Sequence, residues 1–201
     1  MPSVCIRKAA RKFPRPATLP CVGQFGDRLQ MDMVSVANVL GQVFPFLGII
    51  DLATLLHVVC LILDKSSKAM FKVFADTWPR AFGLPIKIIL DLHPSFQGDF
   101  KQSCLDLGID LEPVPPGGHY EMGAIDHHNF TCRQMAEKVI DAVAATTPDQ
   151  LEFAALQTCH AKNTQFRRAG RSPSMATFGR IPRLPSALLT DESPIQGNYP
   201  K

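Results

Sequence analysis

Three aspartates stand where solvation alone does not explain an acidic side chain. Asp32 lies inside the apolar segment Leu29-Gln30-Met31-Asp32-Met33-Val34-Ser35-Val36, flanked by methionines. Asp91 ends the run Ile86-Lys87-Ile88-Ile89-Leu90, at the carboxyl end of a predicted strand. Asp126 falls near the start of a helical stretch. At about 100° per residue it projects from the border between the apolar face and solvent. A carboxylate in a strand is unfavourable unless it is paired, hydrogen-bonded or bound to a metal. Three of them brought together offer the oxygen ligands that a hard divalent cation such as Mg²⁺ takes. Taken singly, each has an ordinary alternative: a strand-edge residue, a turn or cap residue, and a first-turn acid favoured by the helix dipole.

Around the third aspartate stand His119, His127 and His128. Neighbouring residues on a helix point about 100° apart, so His127 and His128 are poorly placed to share one ion. They read as surface or phosphate-contacting groups. Trp78, Met31 and Met33 read as core packing.

The elements that must position these residues follow from the apolar pattern. Leu29–Val36, Val43–Ile50 and Leu55–Leu63 are three β-type stretches joined by short turns at Gly41-Gln42 and at 51–54, most simply an antiparallel meander. Ser66 and Ser67 offer an N-cap, and Met70, Phe71, Phe74, Trp78 and Phe82 recur at helical spacing until Gly83. A buried strand of the parallel kind follows at Ile86–Leu90. Next come a helix over Phe100–Leu107, a short strand Ile109–Val114 and a helix over Gly123–Ala145, whose apolar face carries Cys132, Met135, Ala136, Val139, Ile140 and Val143. A last helix, Asp149–Phe166, starts at Thr147-Pro148-Asp149, and beyond Gly170 the chain is Pro-rich and irregular. The order β-β-β-α-β-α-β-α-α describes an α/β layer fold with a mixed sheet.

Composition bounds the rest. With 201 residues, 46% hydrophobic and 19% charged, the chain suits one domain with a real core and basic tails. The longest apolar candidate, Val43–Leu63, is broken by Pro45, Asp51 and His57, so no membrane span is expected. Met1–Arg15 carries five basic side chains in place of a secretory apolar stretch, which points to the nucleus or cytoplasm. The six cysteines form no CxxC pair and read as small hydrophobes, not a disulfide framework. Net charge is only +3, but basic residues crowd both ends around a near-neutral middle, as expected of a protein that holds phosphates near a metal site.

Asp91 and Asp126 are 35 positions apart, with Asp32 before them on the first strand. This resembles the D,D-35-E arrangement of retroviral and retrotransposon integrases. Phe46-Leu47-Gly48-Ile49-Ile50-Asp51-Leu52-Ala53-Thr54 is similar to the family's second-strand segment, and Trp78 through Phe82-Gly83-Leu84-Pro85 to its approach to the second catalytic strand. Asp91-Leu92-His93-Pro94-Ser95-Phe96 resembles D-x-G-x-x-F. The segment from Gly118 to Asn129 resembles the stretch around the third acid. Ala161-Lys162-Asn163, Gly170-Arg171-Ser172-Pro173 and the stretch from Phe178 to Pro185 resemble the tail after the core.

The resemblance implies an RNase H-like three-layer fold: a five-stranded mixed sheet, three antiparallel strands then two parallel, flanked by helices. It divides the chain into a basic Pro-rich arm (1–25), a catalytic core (26–166) and a Pro/Arg-rich tail (167–201). It implies 3′ processing and strand transfer on DNA, with element ends and target DNA as partners, two Mg²⁺ (or Mn²⁺) ions, and a homodimer. Asp32 would contact both ions, Asp91 and Asp126 one each. Lys162, Arg167, Arg168 and Arg171 are candidate phosphate contacts, and Asp51 holds a structural position. Three departures stand out. The third acid is Asp126 where the family has Glu, His93-Pro94 replaces a glycine turn, and no zinc module of two His and two Cys accompanies Cys5. They open a second reading, a catalytically decayed descendant that still binds nucleic acid. A third, another RNase H-like nuclease, lacks the usual fourth acid.

Overall fold

The computed structural model describes residues 23–115, 122–165 and 170–182. Three strands open the fold, β1 (Arg28–Ala37), β2 (Val43–Asp51) and β3 (His57–Leu61). Helices α1 (Ser67–Thr77) and α2 (Pro79–Phe82) lead to β4 (Lys87–Leu90). A 3-10 turn (Pro94–Phe96), α3 (Asp99–Asp106) and β5 (Asp110–Pro113) follow, then α4 (Gly123–Val143), α5 (Pro148–Thr164) and α6 (Pro173–Phe178). The sheet order is β3-β2-β1-β4-β5. β1, β2 and β3 pair antiparallel, while β1 with β4 and β4 with β5 pair parallel. This is the expected mixed sheet, three antiparallel strands then two parallel.

Strand side chains alternate between faces, and the two faces carry different loads. Leu29, Met31, Leu47, Ile49, Ile88 and Leu90 pack one face against Met70 and Phe74 of α1, Trp78, and Phe100 and Cys104 of α3. Val36, Phe46, Val59 and Leu61 pack the other against Cys132, Ala136 and Ile140 of α4 and Leu151, Ala154, Ala155 and Cys159 of α5. The result is helix, sheet, helix: three layers. Asp32 shares the parity of Val36 and so faces α4.

Several local details depart from the sequence reading. The helix expected to run to Phe82 breaks at Trp78, because Pro79 has no N–H to donate and instead opens α2. On α4 the buried residues are Ile125, His128, Asn129, Cys132, Ala136 and Ile140, whereas Val143 is 59% exposed. The region beyond Gly170, expected to be irregular, contains α6. Ser172 caps it by accepting from Met175 N, Pro173 occupies its first turn, and Gly179 ends it at φ 68. α6 rests on α5, and the Phe178 ring lies 6.3 Å from that of Phe82. Residues 1–22 of the arm and most of the tail lie outside the described residues.

Candidate active site

The register of the sheet brings the first two acids together. β1 and β4 pair in parallel as far as Met31 opposite Leu90, so Asp32 and Asp91 are the next residues at the same end of two adjacent strands, which lie about 4.8 Å apart. Asp32 projects on the α4 side, and the charge of Asp91 acts on its carboxyl. Asp91 is fixed by the turn that follows it. Its Oδ1 accepts from His93 N at 3.2 Å, and His93 Nδ1 accepts from Ser95 N at 3.2 Å. Ser95 Oγ donates to Lys65 O at 2.8 Å. The His93-Pro94 pair thus starts a pinned 3-10 turn where the family resemblance leads one to expect a glycine.

The third acid arrives on α4. Gln30, two residues before Asp32 and on the same face, accepts from Ile125 N through its Oε1 at 3.0 Å. That amide belongs to the first turn of the helix, where N–H groups have no partner within the helix. The contact docks the start of α4 on β1, and the next residue, Asp126, is exposed with its charge acting on Asp32. One turn on, Asn129 Nδ2 donates to Asp32 Oδ2 at 3.1 Å. Burial pushes the Asp32 carboxyl up from the usual range, and the like charges of Asp91 and Asp126 push it further. Hydrogen bonds from the Met33 backbone and from Asn129 act in the opposite direction. A carboxylate crowded in this way favours a proton or a cation. The donor set is all oxygen, which suits Mg²⁺ or Mn²⁺ over softer metals.

Behind the acids lies a polar network that the sequence reading did not anticipate. Asn129 Oδ1 is 3.0 Å from His57 Nε2, and Lys162 Nζ is 3.0 Å from His57 Nδ1 and 2.6 Å from His128 Nδ1. Asn163 accepts from His57 N and donates to His57 O, and Cys159 Sγ donates to the same carbonyl. His57 is fully buried and held well below the usual histidine range by desolvation, then by the charges of Lys162 and His128. It is therefore neutral. Ligand atoms of His57, Cys132 and Cys159 lie within 4.8 Å of one another. Both ring nitrogens of His57 are already engaged, by Asn129 and Lys162, so the cluster is a hydrogen-bonded core.

Lys162 is therefore not on the surface, where the reading of it as a phosphate contact would place it; it is 1% exposed. Its position could have been read from α5. Leu151, Ala154, Ala155, Thr158, Cys159 and Lys162 recur at three- and four-residue spacing along the buried side. His128 is also interior at 5% exposed, in contrast to the surface reading, while His127 is exposed. Arg171 is exposed. Arg167, Arg168 and His119 lie outside the described residues. Asp51 is fully buried and accepts from Gly26 N, Thr54 N and Thr54 Oγ1, so it closes the turn after β2 and stands apart from the acid group. Trp78 and Met31 are wholly in the core.

The fold is that of the retroviral integrase catalytic core, of the RNase H-like type. Among solved structures the chain is similar to the HTLV-2 integrase catalytic core domain in complex with magnesium, with a TM-score of 0.65 and 14% identity over 77% of this chain and 97% of that one. The simian T-cell lymphotropic virus intasome in complex with PP2A regulatory subunit B56 gamma gives a TM-score of 0.65 and 14% identity, covering 81% of this chain and 58% of that one. The catalytic core of BIV integrase gives 0.62 and 13%, covering 77% and 95%. No protein-family model and no curated sequence matches the chain. Among the described residues no helix is long and apolar enough to cross a membrane.

Proposed function

We propose that this chain is an integrase-type polynucleotidyl transferase core, with Asp32, Asp91 and Asp126 as its metal-binding and catalytic carboxylates. The reading is supported by the register that ends β4 beside Asp32, the Gln30–Ile125 bond that docks the helix of Asp126 on the same strand, and the charges of Asp91 and Asp126 acting on Asp32. Bound Mg²⁺ or Mn²⁺, two ions by the resemblance, would supply activation of the attacking hydroxyl and stabilisation of the leaving oxygen. By the resemblance, Asp32, whose carboxyl feels the charges of both other acids, would contact both ions, and Asp91 and Asp126 one each. Asn129 orients Asp32. The pinned turn Pro94–Phe96 keeps Asp91 from drifting.

The substrate is DNA, element ends and target alike, with exposed Arg171 and the basic residues Arg167 and Arg168 as phosphate contacts. A homodimer and a nuclear or cytoplasmic setting belong to the same proposal. So does the division into an arm (1–25), a core (26–166) and a tail (167–201). Of the three departures that favour the decayed-descendant reading, the most direct is Asp126, a methylene shorter than the family's Glu, which draws its oxygens back by roughly 1.5 Å. Labelled DNA duplexes incubated with Mn²⁺ or Mg²⁺ decide between them. The proposal expects 3′ processing and strand transfer that Asp32→Asn abolishes. Wild-type protein that binds DNA yet cleaves nothing with either ion would favour the descendant.

A further inference from the structure

Three buried side chains, Lys162, His57 and Asn129, run in line from α5 to the half-buried first acid, and with Lys162 as an ammonium their donor and acceptor capacities fit one ordering. A lysine ammonium can only donate, so His57 Nδ1, 3.0 Å from Lys162 Nζ, is the accepting nitrogen. A neutral imidazole then carries its proton on Nε2, which donates to Asn129 Oδ1 across 3.0 Å. That turns the carboxamide nitrogen of Asn129 away from His57 and toward Asp32 Oδ2, where it donates at 3.1 Å. With Lys162 charged, each link follows from the one before it. The backbone leaves room for the crossing: Asn129 passes over Gly48, where any Cβ would overlap its Oδ1 and carboxamide carbon.

We infer that Lys162 and His57 are positioning residues for Asp32, acting through Asn129: the ammonium fixes the imidazole tautomer, the tautomer fixes the carboxamide, and the carboxamide fixes the carboxylate. The inference rests on the reading of Asp32 as a metal ligand. It assigns the network a task beyond filling the core between α4, α5 and β3. Partners behind a metal ligand commonly tune affinity by about 10–100-fold, and a chain of this polarity delivers that tuning from a residue that touches neither metal nor DNA.

The test compares Lys162→Met, His57→Leu and His57→Gln in the full chain, with two readouts. Glutamine offers one acceptor and one donor, so His57→Gln can rebuild the line, whereas leucine cannot. In nitrogen-15 asparagine-labelled protein, the Asn129 side-chain amide protons should exchange slowly in wild type and in His57→Gln. They should exchange at least about tenfold faster in Lys162→Met and His57→Leu. Titrated Mn²⁺ should bind about tenfold more weakly to the latter two and near normally to His57→Gln. Thermal unfolding identifies any variant that is not folded, and the conservative His57→Gln keeps the comparison open if Lys162→Met fails to fold. Unchanged Asn129 exchange and unchanged Mn²⁺ affinity in folded His57→Leu would overturn the inference. If wild type binds no Mn²⁺, the metal reading of Asp32 falls. The Asn129 exchange then decides the positioning chain alone: accelerated in His57→Leu it stands, unaltered it is overturned.

Discussion

Asp32 pairs directly with Gly48 across the β1–β2 ladder, and the space above that glycine is occupied by the Asn129 carboxamide that holds Asp32. The glycine is required for close approach, not for an unusual backbone angle. Gly48→Ala should therefore act at two levels. Overpacking of this kind costs about 1–3 kcal/mol, which chemical denaturation will read. The displaced Asn129 should also weaken Mn²⁺ binding, an effect absent from an equally destabilising substitution in the opposite layer, such as Ile88→Val.

The Asp32 carboxyl is raised in the folded chain, first by desolvation and then by Asp91 and Asp126, against the Met33 and Asn129 hydrogen bonds. The folded state thus favours its protonated form. That contribution is complete below the ordinary value of 3.8 and is lost as pH rises through the raised folded value. In the metal-free protein, Asp32→Asn should remove this loss. The difference in Tm between variant and wild type should shift in the variant's favour from about pH 4 to about pH 7. Added Mn²⁺ should raise the wild-type Tm at neutral pH and leave that of Asp32→Asn unmoved.

Asp126 is exposed near the start of α4. Asp126→Glu should bring the carboxylate forward by about one bond length. Strand-transfer rate should rise by an order of magnitude, roughly the scale on which metal-site geometry is felt, with little change in Tm. A fall in rate would mean that the site has settled around the shorter acid.

Asp51 is the internal control, a buried acid outside the group. Its side chain satisfies Gly26 N, Thr54 N and Thr54 Oγ1. Asp51→Ala strands these donors, and the loss of charge-assisted bonds should destabilise the fold by about 3 kcal/mol. Under conditions where the variant is folded, its Mn²⁺ affinity should match wild type.

The parts of this molecule legible in the sequence are those carried by periodicity and punctuation. The three opening strands, the parallel strand before Asp91 and the two long helices follow from apolar spacing. Gly83, Gly108 and the Thr147 cap mark their ends. The resemblance to the D,D-35-E arrangement brought Asp32, Asp91 and Asp126 forward as a set. The supporting network was not legible, because it depends on register between distant segments: Gln30 with Ile125, Gly48 beneath Asn129, Lys162 against His57. Lys162 illustrates the difficulty. A lysine in a segment with arginines reads as solvated, and only the buried stripe of α5 places its ammonium indoors. The break at Pro79 and the capped turn of α6 were local signals, present in the residues but outweighed by the longer patterns around them.

The most direct test of the account is calorimetric titration of Mn²⁺ into the metal-free chain, alongside Asp32→Asn and Asp91→Asn. The three-aspartate site predicts saturable binding in wild type and its loss in both variants, with each variant remaining folded. Wild-type protein that takes up no Mn²⁺, or variants that bind it as tightly as wild type does, would contradict it.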